Sequence, residues 1–401
     1  MRTRQSGFSL IELMISVLIG LLAMVFVMRS TVNFEANRRS SLGGSDSMQN
    51  GVVALFSMEN DAAQSGWGMN DDLVLGCNAR FFDSQNFANA NVGGGVAIVL
   101  APVSVVFNGA NPDQITIMGG TSDAGSGSML TVANVAAGST TFGVSQDPSF
   151  AFRVRDALAL APITTGGTCA TPATAGSCCA IAQVAGTTPL PTPTLSVTSD
   201  GTTTTRFNQP GGLLAAFAGP SQAKIFNLGD GNALSFHTWD VSNGVLRLRA
   251  TDLTGASNAP TSAVAGIVSV KALYGFDTRA AAVYDAAVGA TGQALGRWSA
   301  GMIDADGDGV VGGPGDYRRM AAVRLAVVAR GREPERPDSS GTCPNTTTAL
   351  PTVFATQEPA AIATVPISVN VAVAGDTIDW SCYRYRVFET VVPLRNSGWK
   401  P

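Results

Sequence analysis

Gly7-Phe8-Ser9-Leu10-Ile11-Glu12-Leu13 opens an apolar run that continues to Met28 with a single charge, Glu12. The leader before it, Met1 to Gly7, is short and carries Arg2 and Arg4. At about 1.5 Å per residue, a helix over Phe8 to Met28 spans roughly 30 Å, the hydrocarbon thickness of a bilayer. A secretory signal peptide has a shorter apolar core, with its small-residue cleavage site after that core. Here the cleavable-looking residue, Gly7, precedes the run. A cut after it leaves the apolar segment on the mature chain and makes Phe8 the first residue.

Glu12 is the costly residue of this stretch. A carboxylate at the centre of a bilayer costs about 2.5–3.5 kcal/mol on insertion scales, and less towards the edge, so it marks a function with a partner. A new α-amino group on Phe8 is such a partner, about one helical turn away within the chain. Between chains, Glu12 of one subunit paired with the Phe8 amine of its neighbour sets the axial register of a helical assembly. The competing reading is an ordinary membrane anchor with a tolerated carboxylate near the interface.

Gly7-Phe8-Ser9-Leu10-Ile11-Glu12, after a basic leader and before an apolar helix, resembles the class III signal of type IV prepilins and pseudopilins. The resemblance implies cleavage by prepilin peptidase between Gly7 and Phe8, N-methylation at Phe8, and a registering role for Glu12 against the growing filament. It also puts the leader in the cytoplasm. Charge counting does not, because Arg2 and Arg4 precede the span while Arg29, Arg38 and Arg39 follow it.

Composition bounds the rest. The chain has 401 residues, 13% of them charged, with 45 Gly and 20 Pro, which favours strands and loops over many helices. A net charge of −4 gives no reason to expect nucleic-acid binding by the bulk of the chain. Six cysteines follow the apolar segment: Cys77, Cys169, Cys178, Cys179, Cys343 and Cys382. An even number outside the cytoplasm reads as disulfides, and the sequence does not choose the pairing. Cys178 and Cys179 cannot bond each other without strain, while Cys169 with either closes a small loop. There is no CxxC pair, and His237 is the only histidine, read as a surface or satisfied core residue. Zinc binding and Cys–His catalysis are not expected, and no nucleophile motif supports a membrane-anchored enzyme.

The helix is expected to continue past the membrane to about Gln64. Met48, Val52, Leu55, Phe56, Ala62 and Ala63 recur at helical spacing as one apolar stripe, Gly43-Gly44 invites a kink, and Gly66-Trp67-Gly68 closes the element. The expected organisation is a leader at 1–7, a transmembrane or filament-core helix at 8–28, its periplasmic continuation at 29–66, and a globular β-rich domain at 67–401. Alternating segments at 96–100, 103–107, 114–118, 245–250, 266–277, 321–330 and 380–390 read as strands. Residues 162–205, rich in Thr, Gly, Ala and Pro, read as a solvated low-complexity insertion. The fold class is therefore α+β: a long N-terminal helix, hydrophobic in its first half, packed on antiparallel sheet with large loop insertions.

Ala-Leu-Tyr-Gly-Phe-Asp (272–277), Val-Arg-Leu-Ala-Val-Val-Ala-Arg (323–330) and Tyr-Arg-Tyr-Arg-Val-Phe-Glu-Thr-Val-Val-Pro-Leu-Arg-Asn (383–396) resemble the C-terminal half of PilW-type minor pilins. Ala54-Leu55-Phe56 through Gly66-Trp67-Gly68 resembles that family's helix end, although Asp61-Ala62-Ala63-Gln64-Ser65 stands where a helical arginine is expected. Residues 78–260 carry no such resemblance. It implies a pilin-like fold and a minor pilin that helps initiate or cap a type IV pilus, serving twitching motility, adhesion or DNA uptake. The implied partners are prepilin peptidase, the other minor pilins, the major pilin, the pilus assembly platform and, before assembly, inner-membrane lipid. The implied location is the bacterial inner membrane, single-pass with a periplasmic domain, then the pilus. A minor pseudopilin of a type II secretion system and a calcium-dependent pilus-tip adhesin remain alternatives.

Asp304-Ala305-Asp306-Gly307-Asp308-Gly309 has the opening of an EF-hand loop, with acids at alternate positions and Gly at the sixth. Hard oxygen ligands suit Ca²⁺, and the expected set is Asp304, Asp306, Asp308, the Val310 carbonyl and Asp316. The pattern departs at its twelfth position, which is Gly315, so that Asp316 comes one residue late. An Asp/Gly-rich strand connection is the alternative.

Overall fold

The computed structural model describes residues 9–69, 71–91, 95–121, 127–163, 178–201, 203–213, 223–280, 293–343 and 346–396, with backbone only at 32–33, 35–42, 178 and 203. The apolar run folds into α1, Leu10–Gln64, whose preceding residue Ser9 is extended. Leu10–Thr31 is long and apolar enough to cross a membrane, and its large apolar side chains are exposed. The helix passes through Gly43-Gly44 without interruption. Gly43 is instead a contact point: a Cβ on the facing Gly331 would sit 3.2 Å from the Gly43 carbonyl oxygen.

The buried face of the second half corrects the expected stripe. Gly43, Ser47, Gly51, Ala54, Met58 and Ala62 are buried, whereas Met48, Val52 and Phe56 are at least half exposed. The sheet approaches so closely that a Cβ at Gly51 would lie 2.1 Å from the Phe388 ring. Close packing selects by size at this point of the helix, where no side chain larger than glycine fits against Phe388.

Three main sheets stack behind this helix. The four-stranded sheet has the order β15 (Arg297–Ser299), β14 (Ile267–Phe276), β16 (Met320–Arg330), β19 (Tyr385–Pro393), all antiparallel. The five-stranded sheet runs β13 (Thr261–Ala265), β12 (Val245–Ala250), β11 (Ser235–Ser242), β4 (Gln114–Gly119), β3 (Val103–Val106). The six-stranded sheet runs β2 (Val96–Leu100), β1 (Cys77–Phe81), β8 (Cys178–Gln183), β7 (Asp156–Pro162), β10 (Ala223–Asp230), β5 (Ser128–Leu130). Two short ribbons complete the described strands: β6 (Thr141–Gly143) with β9 (Thr194–Ser196), and β17 (Thr352–Val353) with β18 (Ile367–Ser368). β1 and β8 pair in parallel, the one parallel pair among the described strands.

The cores follow from strand alternation. Ala54, Met58 and Ala62 of α1 meet Ile115, Ile117 and Trp239 from the five-stranded sheet and Val323, Leu325 and Val327 from the four-stranded sheet. The opposite face of the five-stranded sheet, with Met118 and Phe236, packs on Phe81, Ala159 and Ile181 of the six-stranded sheet. The outer face of the four-stranded sheet is covered by Val353, Phe354, Val369 and Val371.

Three other expectations change. Val268 leaves the face of Val270, Ala272 and Tyr274, because the register shifts between Ile267 and Ser269. Trp380–Cys382 is a turn of 3-10 helix, so the last strand starts later, at Tyr385. The segment expected to be a solvated insertion supplies core: Ala180, Ile181, Ala182, Val184, Leu195 and Val197 are buried, several on β8. Its apolar residues are small and spaced by Thr and Pro, which masks a strand in composition; residues 164–177 lie outside the described ones.

Candidate functional site

Glu12 lies in the first turn of α1 with its side chain exposed, and its backbone N–H donates to the Ser9 carbonyl at 3.0 Å. A carboxylate is favoured at this end of the helix dipole. Gly7 and Phe8, the residues of the expected cut, lie outside the described residues.

The acidic loop lies between β15 and β16 and ends in a short helix, α2, Pro314–Arg318. Asp304 accepts from Gly307 N at 2.7 Å and Gly309 N at 2.9 Å, and Asp308 accepts from Val310 N at 2.7 Å. Asp316 is fully buried and accepts from Ala305 N at 2.5 Å and Gly312 N at 2.7 Å, folding the loop back on itself. Carboxylate oxygens of Asp304, Asp306 and Asp316 come within 4.8 Å of one another. Asp308 and Val310 stand at the exposed end of the loop and do not join that group. The departure at the twelfth position has a steric reason: a Cβ on Gly315 would lie 1.7 Å from Asp306 Oδ2. Partial burial, with repulsion from Asp308, Asp316 and Asp304, holds the Asp306 carboxyl above its ordinary pKa.

Two disulfides are formed among the described cysteines. Cys77 of β1 bonds Cys179 of β8, with a Cα separation of 6.0 Å, and Cys343 bonds Cys382 at 4.7 Å. Cys169 and the side chain of Cys178 lie outside the described residues.

A cleft of about 980 Å³ opens at the C-terminal end of α1, where the helix meets β4 and β11. His237 stands in its wall between two carboxylates, with Nδ1 at 2.8 Å from Asp61 Oδ2 and Nε2 at 2.7 Å from Asp252 Oδ1. Trp239 Nε1 donates to the same Asp61 oxygen at 2.8 Å, so one carboxylate binds the helix end to two positions of β11. Burial opposes charging the imidazole, but the hydrogen bonds to Asp252 and Asp61 overcome it and raise its pKa to about 9. Ser235 Oγ lies 3.2 Å from Nε2, which gives Asp61, His237 and Ser235 the order of a hydrolase triad. Asp252 on the same nitrogen opposes that chemistry: the ring holds its proton near neutral pH and is a poor base for a hydroxyl. The sequence reading missed this constellation. Its one signal was an aspartate, Asp61, at the place in the helix where an arginine was expected.

Residues 236–396 match the family model of type IV pilus-assembly protein W, and residues 2–28 match the prokaryotic N-terminal methylation motif. No curated protein and no solved structure matches the chain. The matched C-terminal region contains the whole four-stranded sheet on which α1 packs, and the six-stranded sheet lies outside it. The chain thus joins an N-terminus and apolar helix that match the N-terminal methylation motif to a C-terminal region similar to the type IV pilus-assembly protein W family.

Proposed function

We propose that this chain is a minor pilin, cut by prepilin peptidase between Gly7 and Phe8 and methylated at Phe8, that helps initiate or cap a type IV pilus. The observation that carries this reading is the joint match of the prepilin N-terminus and the PilW-family region to the two ends of one chain. Before assembly, Leu10–Thr31 sits in inner-membrane lipid with the globular part in the periplasm. On assembly it exchanges lipid for the helices of other minor pilins and the major pilin, and Glu12 pairs with a neighbour's Phe8 amine. The exposed Met48, Val52 and Phe56 extend the apolar surface of α1 beyond the membrane, which suits contact with those helices. Three stacked sheets would crowd a slim shaft, which favours a place at the tip. Mass spectrometry of the chain recovered from pili should find N-methyl-Phe8 as the first residue; an intact Met1 there would overturn the assignment.

The convergence of Asp304, Asp306 and Asp316 supports a second reading, a Ca²⁺ site in the loop that makes a tip-located subunit calcium-dependent in adhesion. Asp308 and the Val310 carbonyl complete the ligand set when the exposed end of the loop closes. Calorimetry with Ca²⁺ should give binding that is lost in Asp306→Ala and in Gly315→Ala, whose new Cβ occupies the place of Asp306 Oδ2. Equal heats in the wild type and both variants would remove this reading and leave the assembly role untouched.

A further inference from the structure

The cleft at the end of α1 plays no part in the assembly reading, and its lining points to a ligand of its own. About 980 Å³ lies at the upper end of the range for small-molecule sites. Such sites are mostly apolar, but this one is walled by the amides of Asn60, Gln64, Asn232 and Asn396, the Asp252 carboxylate and a few small residues. The large apolar residues in the lining are Ile117, which is buried, and Trp67, which is 44% exposed. Its exposure is imposed by a rigid backbone. Gly66 and Gly68 on either side have φ of 82° and 76°, Gly66 N donates to the Met118 carbonyl at 2.8 Å, and the Trp67 carbonyl accepts from Gly120 N at 2.8 Å. A left-handed glycine on each flank lets the turn strap itself to β4 and present the indole at the cleft.

The charges select among ligands. Among the described residues, the titratable groups lining the cleft are Asp61, His237 and Asp252, and the imidazolium is held between the two carboxylates. Among the described lining residues no cation is left to meet a phosphate or a sulfate, and the pinned His237 fixes the wall in place. Amides offer both donors and acceptors, as hydroxyl groups require, and an indole face takes the C–H face of a pyranose ring.

We propose that this cleft binds a neutral saccharide, with Trp67 as the stacking platform and Asn60, Gln64, Asn232 and Asp252 as partners for the sugar hydroxyls. The ligand can be a free oligosaccharide or the terminus of a surface glycan. The two sources share this chemistry and separate by whether binding needs the immobilised glycan.

The test uses the detergent-solubilised full chain on an array of neutral and sialylated or sulfated oligosaccharides, followed by calorimetry with the best neutral one. The expected result is retention on neutral glycans, about tenfold weaker affinity in Trp67→Ala, and a clear loss in Asn232→Ala. Asn232 is exposed, so that variant tests the cleft even where Trp67→Ala fails to fold. No binding to any neutral glycan, binding to acidic glycans alone, or unchanged affinity in both variants overturns the proposal. Each of those outcomes is compatible with N-methyl-Phe8 on the mature chain, so the saccharide site and the assembly role fail separately.

Discussion

His237 joins the last turn of α1 to the five-stranded sheet through one proton, and that makes the junction sensitive to pH. Its pKa is about 9 in the folded chain, against an ordinary 6.5. The folded value is the higher, so the stabilisation is complete below pH 6.5 and is lost as the pH rises through 9. At about 1.4 kcal/mol per unit, the contribution is on the order of 3 kcal/mol. Denaturation of the wild type and His237→Gln from about pH 6 to about pH 10 should show the gap between them shrinking by roughly that amount; a constant gap would mean the ring is not charged in the fold. Asp61 and His237 are 176 residues apart, and nothing local in either neighbourhood announces the other. Another residue shows the same limit. Lys271, one of three lysines, is fully buried and donates to Asp113 and to the carbonyls of Gly109 at 2.9 Å and Asn111 at 3.1 Å. Within its strand it looks like an outward-facing polar residue, and its partners come from the turn before β4.

Among the elements, those whose signals are local were legible. Val323, Leu325 and Val327 do share the face towards α1, and β2, β4, β12 and β14 lie where alternation placed them. The acidic loop is written in consecutive residues, and Asp316, expected in the set although one place late, comes beside Asp304 and Asp306 because the loop folds back on it, whereas Asp308 stays apart. Met48, Val52 and Phe56 of the expected α1 stripe were misread because hydrophobicity was taken as the measure of burial, while the close approach of β19 requires glycine at Gly51; Ala62 is buried as expected. That reversal has a measurable consequence. Gly51→Leu drives a side chain into Phe388 and should cost about 1–3 kcal/mol in denaturant melts, whereas Phe56→Ser, on the exposed face, should stay within about 0.5 kcal/mol. A Gly51→Leu variant as stable as the wild type would show that α1 does not dock on the sheet in this register.

For the whole molecule, one covalent link ties together strands outside the region matched by the PilW family model. Cys77 and Cys179 bridge β1 and β8 across a sequence separation of 102, and these strands form the only parallel pair among those described. Removing the bridge with paired Cys→Ser substitutions should cost about 2–5 kcal/mol, seen as a lower denaturant midpoint, because a long loop regains its freedom in the unfolded chain. An unshifted midpoint would mean the six-stranded sheet holds its strands without it. What the sequence determined by itself was the N-terminal apolar helix, the prepilin signal, the α+β class, most strands of the C-terminal half and the acidic loop. Each of these is encoded by short-range spacing or by a contiguous motif, which one chain displays in full. Only the tertiary structure decided which face of α1 is buried, that the Thr- and Pro-rich middle supplies core strands, how Cys77 and Cys179 pair, and that Asp61, His237 and Asp252 meet beside Trp67. Those outcomes depend on how closely distant strands approach and which buried charges find partners, and such long-range complementarity leaves no periodic trace in the sequence.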